Sequence, residues 1–357
     1  MKPINFNSGP AALPQQVIEN GRIALENFEQ TGLSILEIGH RTTKFKQIVD
    51  DAIQSVKRLM SLDNDFEVMF IAGGATVQFM QIPYNFLHHS ETAGYIVNGI
   101  WGEKAVVEAK QWGQVNIVSN TAVYNHQTIE TGFIIPPNLR YLHLTSNNTV
   151  EGTQWKKFPT TELPLIADMS SDIFSRNLDF KKFSLIYAGA QKNLGAAGVT
   201  LVVIRKDFIK TLKNNLSPIL DYNQHIKAGS ILNTPPVFAV FILAETLKWI
   251  ESQGGLFLLE QANFAKAIYL YNLLDQYHDF YDCKVKKEHR SSMNICFYLK
   301  NEKLYEKFFH NCAERKFIGI KGYRTVGGVR VSMYNAISLA QVQTFGEFLI
   351  DFAKENG

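Results

Sequence analysis

The sequence predicts an α/β protein with a large domain, built on a mostly parallel, mixed seven-stranded sheet, and a smaller C-terminal α+β domain. Short apolar runs alternate with helical or loop segments between about residues 65 and 205. Several of these runs are continuously apolar, which is typical of strands covered by helices on both faces. A chain of 357 residues is also too long to fold around one compact core, which favours a large domain together with a smaller one.

Seven short runs supply the strands of the predicted sheet. They are EVMFIA (67–72), GYIVN (94–98), VNIVS (115–119), RYLHLT (140–145), LPLIAD (163–168), SLIYAG (184–189) and VTLVVIR (199–205). Between the second and third runs, the segment from Trp101 to Trp112 predicts a crossover helix, because Ala105, Val106 and Ala109 share one helical face.

The pattern changes after the paired prolines at 235–236. A helix to about residue 251 and a second to about residue 277 are predicted, the second with apolar residues at helical spacing: Phe264, Ile268, Tyr271 and Leu274. A strand (292–299), a helix (about 301–315), a Gly-rich strand (327–334) and a closing amphipathic helix follow. We therefore predict an N-terminal arm (1–15), a large domain (16–258) and a small domain (259–357).

Composition excludes several classes of function. The net charge is only +3 and the basic residues are spread along the chain, which argues against nucleic acid or a membrane surface as the partner. The N-terminus has no apolar signal core and no run reaches membrane-spanning length, so a cytoplasmic protein is expected. Cys283, Cys296 and Cys312 match no metal or redox spacing, which favours buried, reduced thiols and no metal site.

Lys192 is the first candidate for chemistry. It lies in the small-residue turn AGAQKNLG between two apolar strands, where glycines let the backbone approach a planar ligand closely. A lone loop lysine is usually a solvated surface charge, so this reading depends on its neighbours. Asp168 ends the apolar strand LPLIA, at the sheet edge where open α/β sheets bind ligands. By itself, an aspartate at this position more often caps the next helix or turn.

Two further features join them. Gly73-Gly74-Ala75-Thr76 links a strand to a helical segment and would direct backbone N–H groups and a helix dipole at an anion. The turn lacks a nucleotide fingerprint, so a single phosphate monoester fits it better, although an ordinary strand-to-helix turn is equally compatible. Trp101 follows another strand, where its ring could stack on a pyridine or simply pack in the core.

A glycine turn, an aromatic, a strand-end Asp and a loop Lys, in this order, resemble the fold-type I enzymes that use pyridoxal 5′-phosphate (PLP). Closer still, the sequence resembles the phosphoserine aminotransferase family from its first ten to its last fifty residues. The motifs are NSGPAALP (7–14), GHR (39–41), GGATVQF (73–79), ADMSS (167–171), YAGAQKNLGAAG (187–198), NTPP (233–236) and KGYRTVGGVRVSMYNA (321–336).

The resemblance implies a role for each cofactor-binding residue. Lys192 would hold PLP as an imine and then act as general acid and base, Asp168 would pair with the pyridine nitrogen, and Trp101 would stack on the ring. Thr149 would bond the side of the ring that carries the hydroxyl. The phosphate would be held by one subunit's Ala75, Thr76 and Gln191, with Asn233 and Thr234 from the partner subunit of a homodimer.

The resemblance also implies a substrate with two anionic groups. Arg330 would bind the α-carboxylate as a bidentate pair. The distal phosphate or γ-carboxylate would face a second group: Ser8, His40, Arg41 and Arg324. Two positions depart from common family patterns. Thr76 stands where some members have arginine, and Tyr323 stands where histidine is usual.

The implied reaction is a ping-pong transamination through the pyridoxamine form. It interconverts 3-phosphohydroxypyruvate and L-glutamate with O-phospho-L-serine and 2-oxoglutarate, in serine biosynthesis. Transamination of 4-phosphohydroxy-L-threonine, in pyridoxine biosynthesis, or of another acidic amino acid stays open. A cysteine desulfurase is disfavoured, because Gln191 rather than histidine precedes the lysine and no cysteine lies in a Gly/Ser-rich loop. A non-catalytic PLP-binding protein and a nucleotide-binding module are the remaining, weaker alternatives.

Overall fold

The computed structural model describes residues 2–357. Apolar runs of the sequence form the strands of its large sheet. The strands are β1 (Ile4–Asn5), β2 (Phe66–Ala72), β3 (Thr92–Val97), β4 (Gln114–Asn120), β5 (Leu142–Thr145), β6 (Asn147–Asn148), β7 (Thr153–Gln154), β8 (Leu165–Asp168), β9 (Leu185–Gly189), β10 (Val199–Arg205), β11 (Tyr281–Asp282), β12 (Asn294–Leu299), β13 (Phe317–Ile318) and β14 (Val329–Ser332). The α-helices are α1 (Gln15–Asn27), α2 (Thr43–Leu59), α3 (Ala75–Phe86), α4 (Ile100–Ala109), α5 (Lys206–Ile209), α6 (Tyr222–Lys227), α7 (Val237–Ser252), α8 (Gly255–Gln276), α9 (Tyr305–Glu314) and α10 (Leu339–Asn356).

The large sheet has seven strands in the order β2-β10-β9-β8-β5-β3-β4. β10 runs antiparallel to both of its neighbours, and the other pairs are parallel. The predicted mostly parallel, mixed sheet is therefore confirmed, and each predicted strand is present with its ends shifted by at most two residues. Because the remaining strands point the same way, the carboxyl ends of β2, β3, β5, β8 and β9 meet at one edge.

Short turns connect these carboxyl ends to helices that cover the sheet. β2 passes through Gly73 and Gly74 into α3, and Gly73 has φ +112°, a backbone conformation that favours glycine. β3 passes through residues 98–99 into α4, the predicted crossover helix, whose apolar face is buried as expected: Ala105, Val106 and Ala109. Two helix N-termini therefore face the edge where the strands end.

The long helices after residue 236 form as predicted, but spacing did not identify the buried face of α8. Leu274 is buried, whereas Phe264 and Ile268 are exposed. The face that is buried instead includes Leu259, Asn263 and Leu270. Apolar residues surround this helix, so the sequence offered more than one apolar stripe.

A second hydrophobic core lies against the sheet β11-β12-β14. It includes the predicted face of α10: Val342, Phe345, Leu349 and Phe352. Ile4 and Phe6 from the start of the chain pack in the same core, and β1 pairs with β13. The division into domains at residues 15 and 258 stays a prediction. Within residues 2–357, no helix is long and apolar enough to cross a membrane. Cys296 and Cys312 are buried and Cys283 partly buried, and all three are free thiols.

One buried cation joins α8 to the segment after β14. The side chain of Lys266 is almost fully buried, and its Nζ donates hydrogen bonds to the carbonyl oxygens of Met333, Tyr334 and Ile337 at 2.9–3.0 Å. These bonds supply a donor to three buried carbonyl groups, of which that of Tyr334 also accepts a bond from the N–H of Ile337. The lysine therefore closes the chain turn that precedes α10.

We predict that Lys266→Met lowers the free energy of unfolding by roughly 2–4 kcal/mol, because buried carbonyls lose their donors. Chemical denaturation followed by circular dichroism measures the change. The matched control is Lys354→Met on the exposed side of α10, which should change stability by less than about 0.5 kcal/mol. Equal effects of the two substitutions would contradict the structural role of Lys266.

Candidate active site

A cavity of about 240 Å³ lies at the edge where the parallel strands end. Larger cavities exist elsewhere, including a groove of about 450 Å³ between α1, α2 and α7, but they do not combine a buried acid with a buried amine. Most of the site residues predicted from the sequence line the smaller cavity together: Ser8, Ala75, Thr76, Trp101, Thr149, Asp168, Gln191, Lys192 and Arg330.

Asp168 ends β8 with its carboxyl group buried at the base of the cavity. Its Oδ1 accepts hydrogen bonds from the backbone N of Ser170 at 2.9 Å and from the Ser170 hydroxyl at 2.6 Å. The same hydroxyl accepts a bond from the N–H of Gly189 at the end of β9. Among the described residues, Oδ2 has no donor. Burial raises the pKa of Asp168, while Lys192 and Ser170 oppose that change.

Lys192 follows β9 by three residues and reaches the same cavity. Burial lowers the pKa of its amine, the charge of Asp168 opposes this effect, and the charge of Arg330 adds to it. Its Nζ lies 5.7 Å from the centre of the Trp101 ring. The amine therefore lies between an acid and a flat aromatic wall, with a larger neutral fraction than an exposed lysine.

Thr149 joins two walls of the cavity. Its Oγ1 accepts a hydrogen bond of 3.1 Å from Nε1 of Trp101, which fixes the tilt of the indole. Its carbonyl oxygen accepts a bond of 3.3 Å from a terminal nitrogen of Arg330. Nε of Arg330 is buried and has no acceptor in residues 2–357. An arginine with unused donors in a cavity is suited to a carboxylate.

Backbone groups form the opposite wall. α3 begins at Ala75 after the two glycines, so its first N–H groups point into the cavity beside Gln191. A Cβ on Gly189 would lie 2.8 Å from Oε1 of Gln191 and 3.4 Å from N of Ala75, so a larger residue there would displace the Gln191 side chain. Together these groups favour a small anion at the N-terminus of α3.

Five predicted site residues do not line the cavity of a single chain: His40, Arg41, Asn233, Thr234 and Arg324. Arg41, Asn233, Thr234 and Arg324 are exposed, and His40 is half-buried in the turn before α2. Arg324 lies in the turn that begins at Tyr323, and the carbonyl oxygen of Tyr323 accepts bonds from Val326 and Gly327. Their roles in binding remain predictions.

The structure adds residues that sequence reasoning missed. Ser170 and Phe79 line the cavity, as does Tyr323, the residue that stands where histidine is usual in the family. The Asp-x-Ser spacing is a signal for Ser170, because an aspartate often accepts a bond from the N–H two residues later. Phe79 lies one helical turn after Ala75, which is also visible in the sequence. Gly9 lies over Lys192, and only the folded chain reveals it.

Comparisons with known proteins agree with this geometry. The class-V aminotransferase profile matches residues 4–345. A phosphoserine aminotransferase of Geobacillus kaustophilus is 42% identical over 98% of both chains. The solved phosphoserine aminotransferase of Bacillus circulans subsp. alkalophilus is 41% identical with a TM-score of 0.97, covering 100% of this chain and 99% of that one. The PLP-bound phosphoserine aminotransferase of Trichomonas vaginalis is 32% identical with a TM-score of 0.91, covering 97% of this chain and 99% of that one.

The lowered pKa of Lys192 predicts how fast an amine-reactive reagent labels it in the ligand-free protein at neutral pH. Asp168→Asn removes a charge that raises this pKa, so labelling should accelerate by roughly three- to tenfold, and Arg330→Gln should slow it. Mass spectrometry of the labelled peptides gives the rates, with exposed Lys354 as the internal reference. Slower labelling in Asp168→Asn would refute this account of the cavity.

Proposed function

The chain belongs to the class-V aminotransferases and, within them, to the phosphoserine aminotransferases, and from this premise we propose that it transfers the amino group of L-glutamate to 3-phosphohydroxypyruvate. The products are 2-oxoglutarate and O-phospho-L-serine, the amino-acid precursor in serine biosynthesis. The observation that carries the proposal is the convergence of Lys192, Asp168 and Arg330 on one cavity. An amine, a buried acid and an arginine with unused donors are the groups that transamination of an amino acid requires.

The residues of the cavity fit PLP. Asp168 lines the cavity with Oδ1 bonded to Ser170 and Oδ2 without a donor in residues 2–357, which suits a protonated pyridine nitrogen, and Trp101 offers a flat face. The N-terminus of α3 and Gln191 would hold the phosphate. When bound, PLP supplies an aldehyde that condenses with amines and a ring that withdraws electrons from the substrate Cα.

The chain's own groups then orient the substrate and move the proton. Arg330 binds the α-carboxylate, which fixes the Cα relative to Lys192. Nζ of Lys192 would carry the proton from the substrate Cα to C4′ of the cofactor, and its lowered pKa favours the neutral amine that accepts this proton. The carboxylate of Asp168 would keep the pyridine nitrogen protonated. Two hydrogen bonds to Thr149 fix the positions of Trp101 and Arg330 relative to each other.

The distal anionic group and the oligomeric state complete the proposal. His40, Arg41 and Arg324 would provide positive charge for the substrate phosphate or the glutamate γ-carboxylate. Because Asn233 and Thr234 are exposed and lie outside the cavity of one chain, we propose that they reach the phosphate of the partner subunit in a homodimer. We also propose a cytoplasmic location.

The proposed substrate predicts a large preference for the phosphorylated amino acid. With 2-oxoglutarate as acceptor, kcat/KM for O-phospho-L-serine should exceed that for L-serine by about 100-fold or more, because the donors proposed for the phosphate, on His40, Arg41 and Arg324, have no partner when serine binds. Arg330→Ala should lower kcat/KM for both compounds, since both carry the α-carboxylate. A coupled assay for glutamate measures the rates.

Two controls make this assay decisive. Arg324→Ala should affect the phosphorylated substrate more than serine, whereas Lys192→Ala should abolish turnover and the visible absorbance of bound PLP. Equal kcat/KM for the two amino acids would rule out phosphate recognition, and absence of any exchange with glutamate would rule out the transaminase.

The homodimer proposal predicts complementation between two inactive variants. Lys192→Ala removes the reacting amine, and the double variant Asn233→Ala/Thr234→Ala weakens the site of the other subunit. When the two chains are co-expressed, mixed dimers contain one intact site, so about a quarter of all sites should be active. Activity of the mixture no higher than that of either variant would show that each site is formed by one chain.

A further inference from the structure

Glu151 is a buried acid behind the cavity, in the turn between β6 and β7. Its side chain is only 9% exposed. Oε1 accepts a hydrogen bond of 3.0 Å from the N–H of Ile100, the first residue of α4. Oε2 is buried and, within residues 2–357, has no partner. A buried carboxylate oxygen that has no hydrogen-bond donor destabilises the folded protein. Protonation of Glu151 removes the buried charge and so changes stability.

A second orphaned acceptor lies next to Oε2. Nδ2 of Asn148 donates to Oγ1 of Thr153 at 3.1 Å, so its Oδ1 points the other way and has no donor among the described residues. A Cβ on Gly99 would lie 2.3 Å from this Oδ1 and 2.9 Å from Oε2 of Glu151. Both oxygens therefore crowd the same glycine. A proton on Glu151 would let the acid donate to Oδ1 of Asn148, whereas the carboxylate would require the Asn148 amide to turn so that Nδ2 faces it.

The chain around this pair carries two residues of the cavity, Trp101 and Thr149. Ile100 precedes Trp101, and Thr149 lies between Asn148 and Glu151. Thr149 also accepts the hydrogen bonds from Trp101 and Arg330. The bond from Ile100 to Glu151 fixes the start of α4 against the turn that holds the aromatic wall and the arginine, and a bond from protonated Glu151 to Asn148 would strengthen this link.

The acid can exchange its proton with solvent. It lines a polar cavity of about 550 Å³ on the far side of α4. Burial raises its pKa from 4.5 to about 7, the Ile100 N–H and Arg330 act against this, and Glu103 adds to it. The titratable or charged groups that face it from the surrounding elements are Glu103, His126, Lys284, Cys296, Tyr298 and Arg330.

We propose that Glu151 is a positioning residue with two states: as a neutral acid it ties the Trp101 helix to the Thr149 turn, and as a carboxylate it opposes the charge with which Arg330 binds substrate. This inference rests on the proposed function, because Arg330 must bind the substrate α-carboxylate for the second state to matter. A negative charge behind Arg330 weakens its attraction for an anion. Ionisation of Glu151 therefore raises KM.

The same titration affects folding stability. The folded-state pKa of Glu151 is raised above its unfolded value, so the neutral acid contributes stability that is fully present below pH 4.5 and is lost as the pH rises through about 7. Glutamine at this position keeps an acceptor for Ile100, gains a donor for Asn148 and does not titrate. Glu151→Gln thus imitates the neutral state at every pH.

The test compares wild type, Glu151→Gln and Glu103→Gln at about pH 6 and about pH 8.5, a range in which both carboxylates of L-glutamate stay ionised and its amino group affects all three proteins alike. Glu103 lines the same polar cavity but is half exposed and bonded to His126, so it controls for a lost carboxylate. KM for glutamate should rise by roughly 3–10-fold between the two pH values in wild type and Glu103→Gln, and by less than about twofold in Glu151→Gln. kcat of Glu151→Gln at about pH 6 should match wild type, because its contacts are those of the neutral acid.

A second measurement does not depend on activity. The Tm of Glu151→Gln minus that of wild type should increase by about 3 °C from about pH 6 to about pH 8.5, because only wild type loses stability when Glu151 ionises. An unchanged Tm difference, or the same pH dependence of KM in wild type and Glu151→Gln, would overturn the proposal. If wild type fails to turn over glutamate, the proposed function fails, and the Tm series still decides whether Glu151 titrates as described.

Discussion

The site depends on keeping one carboxyl group and one amine away from water at the same edge of a sheet. Desolvation disfavours the charged form of each, so the pKa of Asp168 rises and that of Lys192 falls. Their mutual attraction and the two hydrogen bonds from Ser170 hold Asp168 in place. Parallel strands make this possible, because β8 and β9 end at the same edge of the sheet and the residues that follow them lie side by side.

The sheet and the centre of the site were predictable from sequence because both are encoded locally. Continuous apolar runs identify buried parallel strands. The residues of the site come directly after the carboxyl ends of these strands, as with Asp168 and the Gly73-Gly74 turn. The buried face of α8 was not predictable in this way. Its apolar residues surround the helix, so Phe264 and Ile268 at regular spacing do not distinguish core from surface.

Other features could not be read from the sequence because they arise from tertiary contacts. Arg41 and Asn233 stand in motifs that resemble a family, yet they lie outside the cavity of one chain, and only an assembly can decide their use. Glu151 looks like an ordinary turn acid in the sequence. It becomes significant only when Asn148, Gly99 and the start of α4 close around it.

The antiparallel strand β10 has a consequence for how the chain reaches its fold. β2, which leads into the α3 turn, lies at the sheet edge and pairs within the described chain only with β10. A ribosome must therefore synthesise the chain as far as residue 205 before this apolar strand finds its partner. Until then FEVMFIA presents an unpaired edge, the kind of segment that aggregates or recruits a chaperone. Long-range pairing of this kind also slows folding, so the cavity assembles late.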